Sequence, residues 1–113
     1  SNTRFEVGSD LEKVLPEADA VYMTRIQDEW DEKAGESGQI DTSHFRIGAD
    51  QLARLNPSAV ILHPLPRRME ISVEVDRDPR AMYWRQVRNG MWIRVALLAH
   101  IFGVTGAIRE FSG

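Results

Sequence analysis

An arginine and a glutamine two positions apart are the first residues in the chain whose types and spacing suit ligand binding. Arg25 and Gln27 point to the same side wherever this segment is extended. The planar guanidinium group matches a carboxylate with two parallel hydrogen bonds, and a neutral amide beside it adds a bond without adding charge. An isolated arginine more commonly forms a weak surface ion pair, here with Asp28 or Glu29. The spacing alone leaves both arrangements open.

A proline-rich segment supplies the second candidate site. Residues 60–62 are a short apolar run that predicts a buried strand, and residues 63–66 then read His-Pro-Leu-Pro. Neither proline can donate to a sheet, so the chain must leave the sheet as a stiff loop, in which a cis peptide bond is compatible with the turn. Its carbonyl groups lack local N–H partners and are suited to accept from a ligand. We expect His63 to stabilise this turn and not to act as a general base.

The charged residues after this loop do not form a catalytic pair. We expect Arg67 or Arg68 to pair with an acid across the domain. Glu70, Glu74 and Asp76 show no pairing of two carboxylates of the kind that glycoside hydrolases use. We therefore expect these acids to serve solvation and helix capping.

Length and composition restrict the class of protein. A chain of 113 residues forms one domain, and 42% hydrophobic with 27% charged residues is typical of soluble globular proteins. A net charge of −3 does not favour nucleic-acid binding, and the most apolar run, residues 95–102, is too short to cross a bilayer. There is no cysteine, and His44, His63 and His100 lack metal-ligand spacing. We expect no metal and no cofactor.

Local patterns predict the elements that must position these residues. In chain order they indicate a possible short strand at residues 5–7, a helix at 11–16, a strand at 18–23, an exposed mobile loop at 28–42, a helix at 47–55 and a strand at 60–62. We expect Ser9 and Asp10 to cap the first helix, and Ser9 and Glu12 have the spacing of a capping box. Alternating strands and helices favour an α/β fold with parallel pairing, in which ligands bind beyond the carboxyl ends of the strands.

The last third of the chain predicts one interrupted helix. Asp78 and Pro79 have the residue types of an N-cap and a first helical position. We expect the helix to reach about Gln86, to break near Gly90, and to end before Gly103. An apolar stripe at helical spacing predicts a helix face that is partly buried in the core and partly a docking surface. The stripe consists of Tyr83, Trp84, Val87, Met91, Trp92 and Val95.

Two motifs together carry a family resemblance. They are Tyr22-Met23-Thr24-Arg25-Ile26-Gln27 and the run from His63 to Arg80, which continues through Asn89-Gly90-Met91. Their order and spacing resemble the C-terminal part of aspartate carbamoyltransferases, which carbamoylate aspartate in pyrimidine synthesis. The resemblance extends over about residues 5–102. It implies part of a three-layer, Rossmann-like parallel sheet with flanking helices.

The resemblance also implies roles for the two candidate sites. It implies that Arg25 and Gln27 hold the carboxylates of aspartate. It implies that backbone carbonyls bind the carbamoyl group of carbamoyl phosphate, and these belong to Pro64, Leu65 and Pro66. The chain departs from the family where Asp28 replaces a basic residue and where Met69 replaces Asp or Asn.

The phosphate-binding Ser-Thr-Arg-Thr stretch of the family's N-terminal domain does not occur in this sequence. We therefore expect the chain alone to be inactive, as the aspartate-binding part of a cytoplasmic, homotrimeric enzyme. Residues 1–88 would be a partial aspartate-binding domain, and residues 89–113 a helix that docks on the missing N-terminal domain. A non-catalytic binding or assembly module is the alternative. An ornithine-type relative fits the arginine motif less well, because ornithine is cationic.

Overall fold

The structure is a computed structural model that describes residues 3–25 and 44–107. Its elements are helix α1 (Leu11–Val14), strand β1 (Ala20–Tyr22), helix α2 (Ala49–Arg54), strand β2 (Val60–Leu62), a 3₁₀ helix (Val73–Arg77) and helix α3 (Tyr83–Ile101). The predicted loop at residues 28–42 and Gln27 lie outside the described residues.

The two strands form a parallel sheet in which β2 is bonded on both sides. Tyr22 of β1 pairs with Leu62 of β2, and the register continues through the pair Val21 and Ile61. On its other side Ile61 forms a parallel bridge with Ala81. The parallel strands and flanking helices confirm the predicted α/β class and agree with part of a Rossmann-like domain. The strand predicted at residues 60–62 is confirmed to the residue.

The core forms around the two strands, and the partly buried Leu11 of α1 and Leu52 of α2 pack against it. Its buried members are Leu15, Val21, Met23, Ile47, Leu55, Ala59, Ile61, Ile71, Val75 and Tyr83. Fully burying one such aliphatic side chain is worth about 1.5–3 kcal/mol. The helix predicted at residues 47–55 is confirmed as α2, with Leu52 packed against the core.

Two predictions near the N-terminus are wrong. Residues 5–7 form no strand, because Phe5 and Val7 are almost fully exposed and no neighbouring strand among the described residues pairs with them. Of the two residues predicted to cap α1, Asp10 is the N-cap, with its carboxylate accepting from the Lys13 N–H at 3.2 Å, so the capping box of Ser9 and Glu12 does not form. The helix ends at Val14, two residues early.

The start of α3 was also predicted wrongly. Asp78 ends the 3₁₀ helix, and its carboxylate accepts from the backbone N–H of Arg80 at 2.9 Å, so it caps a turn and not a helix. The helix begins at Tyr83 and runs through Gly90 without a break, since a cost of about 1 kcal/mol is small beside the bonds of 19 residues. Gly103 follows the helix with φ of +70°, which confirms it as the stop.

Candidate functional site

The two candidate sites meet at one edge of the sheet. The parallel register places the carboxyl ends of β1 and β2 side by side, and Met23 donates to the Leu62 carbonyl at 2.9 Å. Arg25, which is half-buried, and the loop at residues 63–66 therefore leave the sheet at the same edge, as predicted. The structure does not place Gln27, which lies outside the described residues.

The proline loop has an unusual backbone. Leu65 has φ of +52°, in the left-handed region, and the Leu65–Pro66 peptide bond is cis. No described backbone N–H donates to the carbonyls of Pro64, Leu65 or Pro66. These carbonyls are the acceptors that the sequence predicted for a ligand's N–H groups.

A fully buried histidine holds this loop from inside. His63 Nδ1 accepts from the Leu65 N–H at 2.8 Å, and its Nε2 lies 2.7 Å from Glu70 Oε1. Both ring nitrogens are therefore committed to contacts within the chain. The prediction that His63 stabilises the turn is confirmed.

The carboxylate of Glu70 is a structural group, contrary to the prediction of solvation and capping. It is nearly buried and accepts from the Arg68 N–H at 3.1 Å as well as from His63. Burial by itself would raise its pKa, but hydrogen bonds from the backbone N–H groups of Glu70 and Arg68 and from His63 lower the pKa of Glu70 overall. The carboxylate is held ionised beside the imidazole.

A glutamine on α3 joins the ends of both strands. Gln86 Oε1 accepts from the His63 backbone N–H at 3.0 Å, and Gln86 Nε2 donates to the Tyr22 hydroxyl at 3.1 Å. Sequence reasoning missed Gln86 and Tyr22. No local pattern identifies either, since their partners lie 23 and 64 positions away.

A second, part-buried cluster supports the segment that follows the loop. Arg67 pairs bidentately with Asp76, with 2.6 Å between NH2 and Oδ2, and the Tyr83 hydroxyl donates to the same carboxylate. The Arg67 guanidinium also lies 5.9 Å from the ring centroids of Tyr83 and Trp84. The predicted pairing of Arg67 with an acid is confirmed, and the predicted solvating role of Asp76 is wrong.

This cluster shifts the pKa values of its members. The hydrogen bond from Arg67 lowers the pKa of Asp76, and the same bond raises the pKa of Arg67. Burial raises the pKa of Tyr83, and its bond to Asp76 adds to that effect. Tyr83 thus remains a hydrogen-bond donor throughout the physiological range.

Arg80 connects the site segment to α2. Its guanidinium donates to the carbonyls of Leu52 and Leu55 at 2.8 Å each, and pairs with Asp78 at 2.8 Å. The bond from Arg80 lowers the pKa of Asp78. These contacts satisfy carbonyls at the C-terminal end of α2, where a helix lacks internal partners.

A cavity of about 350 Å³ opens at the shared strand edge. Its walls include Tyr22, Pro64, Gln86 and Arg94. Arg94, which the sequence reasoning did not single out, places a guanidinium group at this cavity. A guanidinium group and the Pro64 segment at one cavity suit a small anionic ligand that also carries N–H groups.

Most of the predicted apolar stripe is not core. Tyr83 is fully buried, but the other members are 40–59% exposed, and they are Trp84, Val87, Met91, Trp92 and Val95. Of all the residues of α3, only Tyr83 and Ala99 are buried. The helix presents a long apolar surface to solvent.

Residues 3–25 and 44–107 contain neither a metal site nor a membrane-spanning helix. No group of three or more His, Asp or Glu side chains there is arranged to hold a metal ion. No helix in these segments has both the length and the hydropathy needed to cross a membrane.

Sequence comparison identifies related proteins. The family model described as "Aspartate/ornithine carbamoyltransferase, Asp/Orn binding domain" matches residues 1–101. The "Multifunctional protein pyr1-3" of Dictyostelium discoideum is 41% identical over 95 residues, which are 84% of this chain and 4% of that protein. The "Aspartate carbamoyltransferase catalytic subunit" of Clostridium acetobutylicum is 38% identical over 104 residues, 92% of this chain and 34% of that subunit. The chain thus spans about a third of the catalytic subunit, and far less of the multifunctional protein.

A solved structure shows the same fold. The aspartate transcarbamoylase of Trypanosoma cruzi in complex with carbamoyl phosphate aligns with a TM-score of 0.69 and 36% identity. The alignment covers 77% of this chain and 27% of that one.

Proposed function

The chain belongs to the aspartate/ornithine carbamoyltransferase family, matching its Asp/Orn-binding domain, and on that premise we propose that it is the aspartate-binding part of an aspartate carbamoyltransferase. The whole enzyme would convert carbamoyl phosphate and L-aspartate to N-carbamoyl-L-aspartate and phosphate. The observation that carries this proposal is the meeting of Arg25 and the His63-to-Pro66 carbonyls at one sheet edge.

Each side of this edge suits one substrate. Arg25, with Gln27, would hold the carboxylates of aspartate through charge-assisted bonds. The carbonyls of Pro64, Leu65 and Pro66 would accept from the carbamoyl NH₂ group. A guanidinium fork and neutral acceptors at one edge would bring an amino acid and a carbamoyl group within reach of each other.

The reaction that follows from this placement is a group transfer. The lone pair of the aspartate amine attacks the carbamoyl carbon and forms the new N–C bond. The C–O bond to phosphate breaks, phosphate leaves with that electron pair, and the amine nitrogen loses a proton. Orientation of the reactants and stabilisation of the developing oxyanion would supply the rate enhancement.

The complete enzyme would need parts that this sequence does not contain. We propose an N-terminal domain that binds the phosphate dianion, a homotrimeric assembly and a cytoplasmic location. In that arrangement residues 1–88 would form the aspartate-binding unit, and residues 89–113 would dock on the N-terminal domain. The exposed apolar surface of α3 supports this division.

That exposed surface also supports a second candidate function. A non-catalytic binding or assembly module would use α3 to contact a partner and would keep the strand edge without turnover. The two candidates differ in one measurable respect, the formation of carbamoyl-aspartate once a phosphate-binding half is present.

We expect the 113-residue chain alone to form no carbamoyl-aspartate above the uncatalysed rate. The physical reason is that its sequence does not contain the Ser-Thr-Arg-Thr stretch through which the family would bind the phosphate dianion. The purified chain is incubated with both substrates and the product is quantified. Turnover in a preparation free of host enzyme would contradict this expectation.

A chimaera tests the activity and the role of Arg25 together. Residues 1–113 replace the matching segment of the Clostridium acetobutylicum catalytic subunit. We expect the chimaera to be active, and Arg25→Ala to raise the KM for aspartate and lower kcat. Loss of a charge-assisted bidentate contact is worth about 2–3 kcal/mol, or roughly 30- to 150-fold in kcat/KM.

Arg54→Ala is the matched control, because Arg54 forms only an exposed ion pair with Glu12 at 3.0 Å. Its kinetics should equal those of the parent chimaera. An inactive, folded chimaera would favour the assembly module. If the chimaera is active and Arg25→Ala leaves its aspartate kinetics unchanged, the proposed enzyme activity is supported. Arg25 would then not be a residue that binds aspartate.

A further inference from the structure

The buried imidazole of His63 has a geometry that the group-transfer steps above leave unused. We propose that His63, Glu70 and Gln86 form a positioning unit that aims the Pro64 carbonyl outward, toward the carbamoyl NH₂ group. This inference rests on the proposed function for the identity of the ligand. The orientation of the carbonyl itself rests on contacts within the chain.

The peptide group between Pro64 and Leu65 is planar, which ties the direction of its carbonyl to that of its N–H. In a trans peptide the N–H and the C=O point in opposite directions. Only the Leu65–Pro66 bond is cis among the described residues, so the Pro64–Leu65 bond is trans. The Leu65 N–H points inward to the fully buried His63 ring, 2.8 Å away. The Pro64 carbonyl must therefore point away from the interior, on the side where Pro64 is exposed.

The peptide just before His63 shows the same relation. The His63 N–H points to Gln86 of α3 at 3.0 Å, and the Leu62 carbonyl points the other way, to Met23 at 2.9 Å. Two successive anchors thus fix the direction of the chain as it leaves β2. The loop is shaped by side chains and not by a sheet ladder.

Glu70 sets the tautomer that this geometry needs. Nδ1 accepts from Leu65, so it must carry the lone pair, and the ring proton must sit on Nε2. A carboxylate can only accept, and Glu70 Oε1 lies 2.7 Å from Nε2, which favours that proton position. The Arg68 N–H, at 3.1 Å from the same oxygen, holds the carboxylate in place.

Gln86 extends the unit to the other strand. Its Oε1 is used by His63, so its NH₂ group faces the Tyr22 hydroxyl at 3.1 Å. Tyr22 ends β1, three positions before Arg25. One hydrogen-bonded chain therefore links the carbonyl that would bind the carbamoyl group to the strand that carries the carboxylate-binding arginine.

Nuclear magnetic resonance of the 113-residue chain tests the unit directly. With ¹⁵N-labelled histidine, we expect the Nε2–H tautomer for His63 and a scalar coupling across the hydrogen bond from the Leu65 amide to Nδ1. In Glu70→Gln the amide can donate as well as accept, so the Nδ1–H tautomer should become populated and the coupling should weaken. Absence of the coupling in the unmodified chain would overturn the proposal.

Two substitutions separate the two contacts of the ring. The side-chain oxygen of His63→Asn falls near Nδ1 and retains an acceptor for the Leu65 N–H. The amide nitrogen of His63→Gln falls near Nε2 and retains the donor to Glu70, but the Leu65 contact is lost. Both variants remove the imidazole, so a general loss of packing affects them alike.

In the active chimaera we expect His63→Gln to lower kcat about 10- to 100-fold, the effect of a misplacement of about 1 Å, with the KM for aspartate little changed. His63→Asn should retain most of the parent kcat. Equal loss in both variants, or no loss in either, would mean a purely structural histidine and overturn the proposal. An inactive parent chimaera with the coupling intact would instead refute the proposed function while leaving the unit in place.

Discussion

The loop region after β2 buries polar side chains, whereas the C-terminal turns of α3 expose apolar ones. Near the loop His63, Glu70 and Tyr83 are at most 7% exposed, and each has hydrogen-bond partners. In α3 the apolar side chains of Leu97 and Ile101 are 55% and 71% exposed. Folded domains ordinarily bury apolar groups and leave such polar groups in water.

This difference means that contacts within the chain stabilise the loop region, whereas the apolar surface of α3 is left exposed. Buried polar groups are tolerated only when their partners are present, and here the partners are side chains and backbone groups of the same chain. An exposed apolar helix gains about 25 cal/mol for each Å² that another surface covers. We therefore expect substitutions in the loop region to change the free energy of unfolding. Substitutions in α3 should instead change association between chains.

The largest effect on stability is expected for Asp76→Ala. The substitution leaves the Arg67 guanidinium and the Tyr83 hydroxyl without their shared acceptor. Because Tyr83 is fully buried, leaving its hydroxyl without this acceptor and breaking the part-buried ion pair should together cost about 2–3 kcal/mol, measured as the free energy of unfolding in urea. Asp50→Ala is the control, since Asp50 is an exposed acid in the first turn of α2, and it should cost about 0.5 kcal/mol. Equal costs for the two variants would show that Asp76 contributes no more to stability than an exposed acid.

Acid should weaken the loop region by a smaller and graded amount. The folded-state pKa values of Glu70, Asp76 and Asp78 are lowered from 4.5, 3.8 and 3.8, so the unfolded chain binds more protons in this range. Their contribution is complete above about pH 4.5 and is lost as the pH falls through the folded values. Urea unfolding between about pH 7 and pH 3 measures the slope, which should be shallower in Asp76→Asn. If the substitution leaves the slope unaltered, Asp76 does not contribute to the pH dependence of the free energy of unfolding.

The smallest effect on unfolding is expected in α3, where association should change instead. We expect the chain to self-associate at micromolar concentration through α3, and Leu97→Asp with Ile101→Asp to make it monomeric in sedimentation. Because both residues are more than half exposed, their replacement should alter the free energy of unfolding by about 0.5 kcal/mol at most. A monomeric parent chain would show that α3 is covered by its own domain.

Features set by neighbouring residues were predictable from the sequence. The strand at residues 60–62 follows from three consecutive apolar residues, and the loop after it follows from two prolines that cannot join a sheet. The same loop made His63 recognisable as a structural residue. Helix α2 was also predicted, because Leu52 and Leu55 repeat at helical spacing.

Features set by distant partners were not predictable. Asp78 has the residue type of an N-cap, yet Arg80 engages its carboxylate while reaching carbonyls of α2. In the sequence Glu70 resembles a surface acid, because its contact with His63 forms only in the fold. Gln86 has no local pattern that indicates its role. The contacts that decide these roles reach other segments of the chain, to His63 for Glu70 and Gln86 and, through Arg80, to the carbonyls of α2 for Asp78.

The bonding of β2 on both sides determines which part of the chain opens last. Its N–H donates to the Arg80 carbonyl at 2.7 Å, and its own carbonyl accepts from Met82 at 2.9 Å, while β1 bonds the other side of β2. In native-state hydrogen exchange the Ile61 amide should therefore be released only on global unfolding, whereas the exposed end of α3 should exchange by local fraying. The proline loop starts two residues after Ile61. Motion at the end of α3 can thus proceed while the carbonyls of the loop keep their direction.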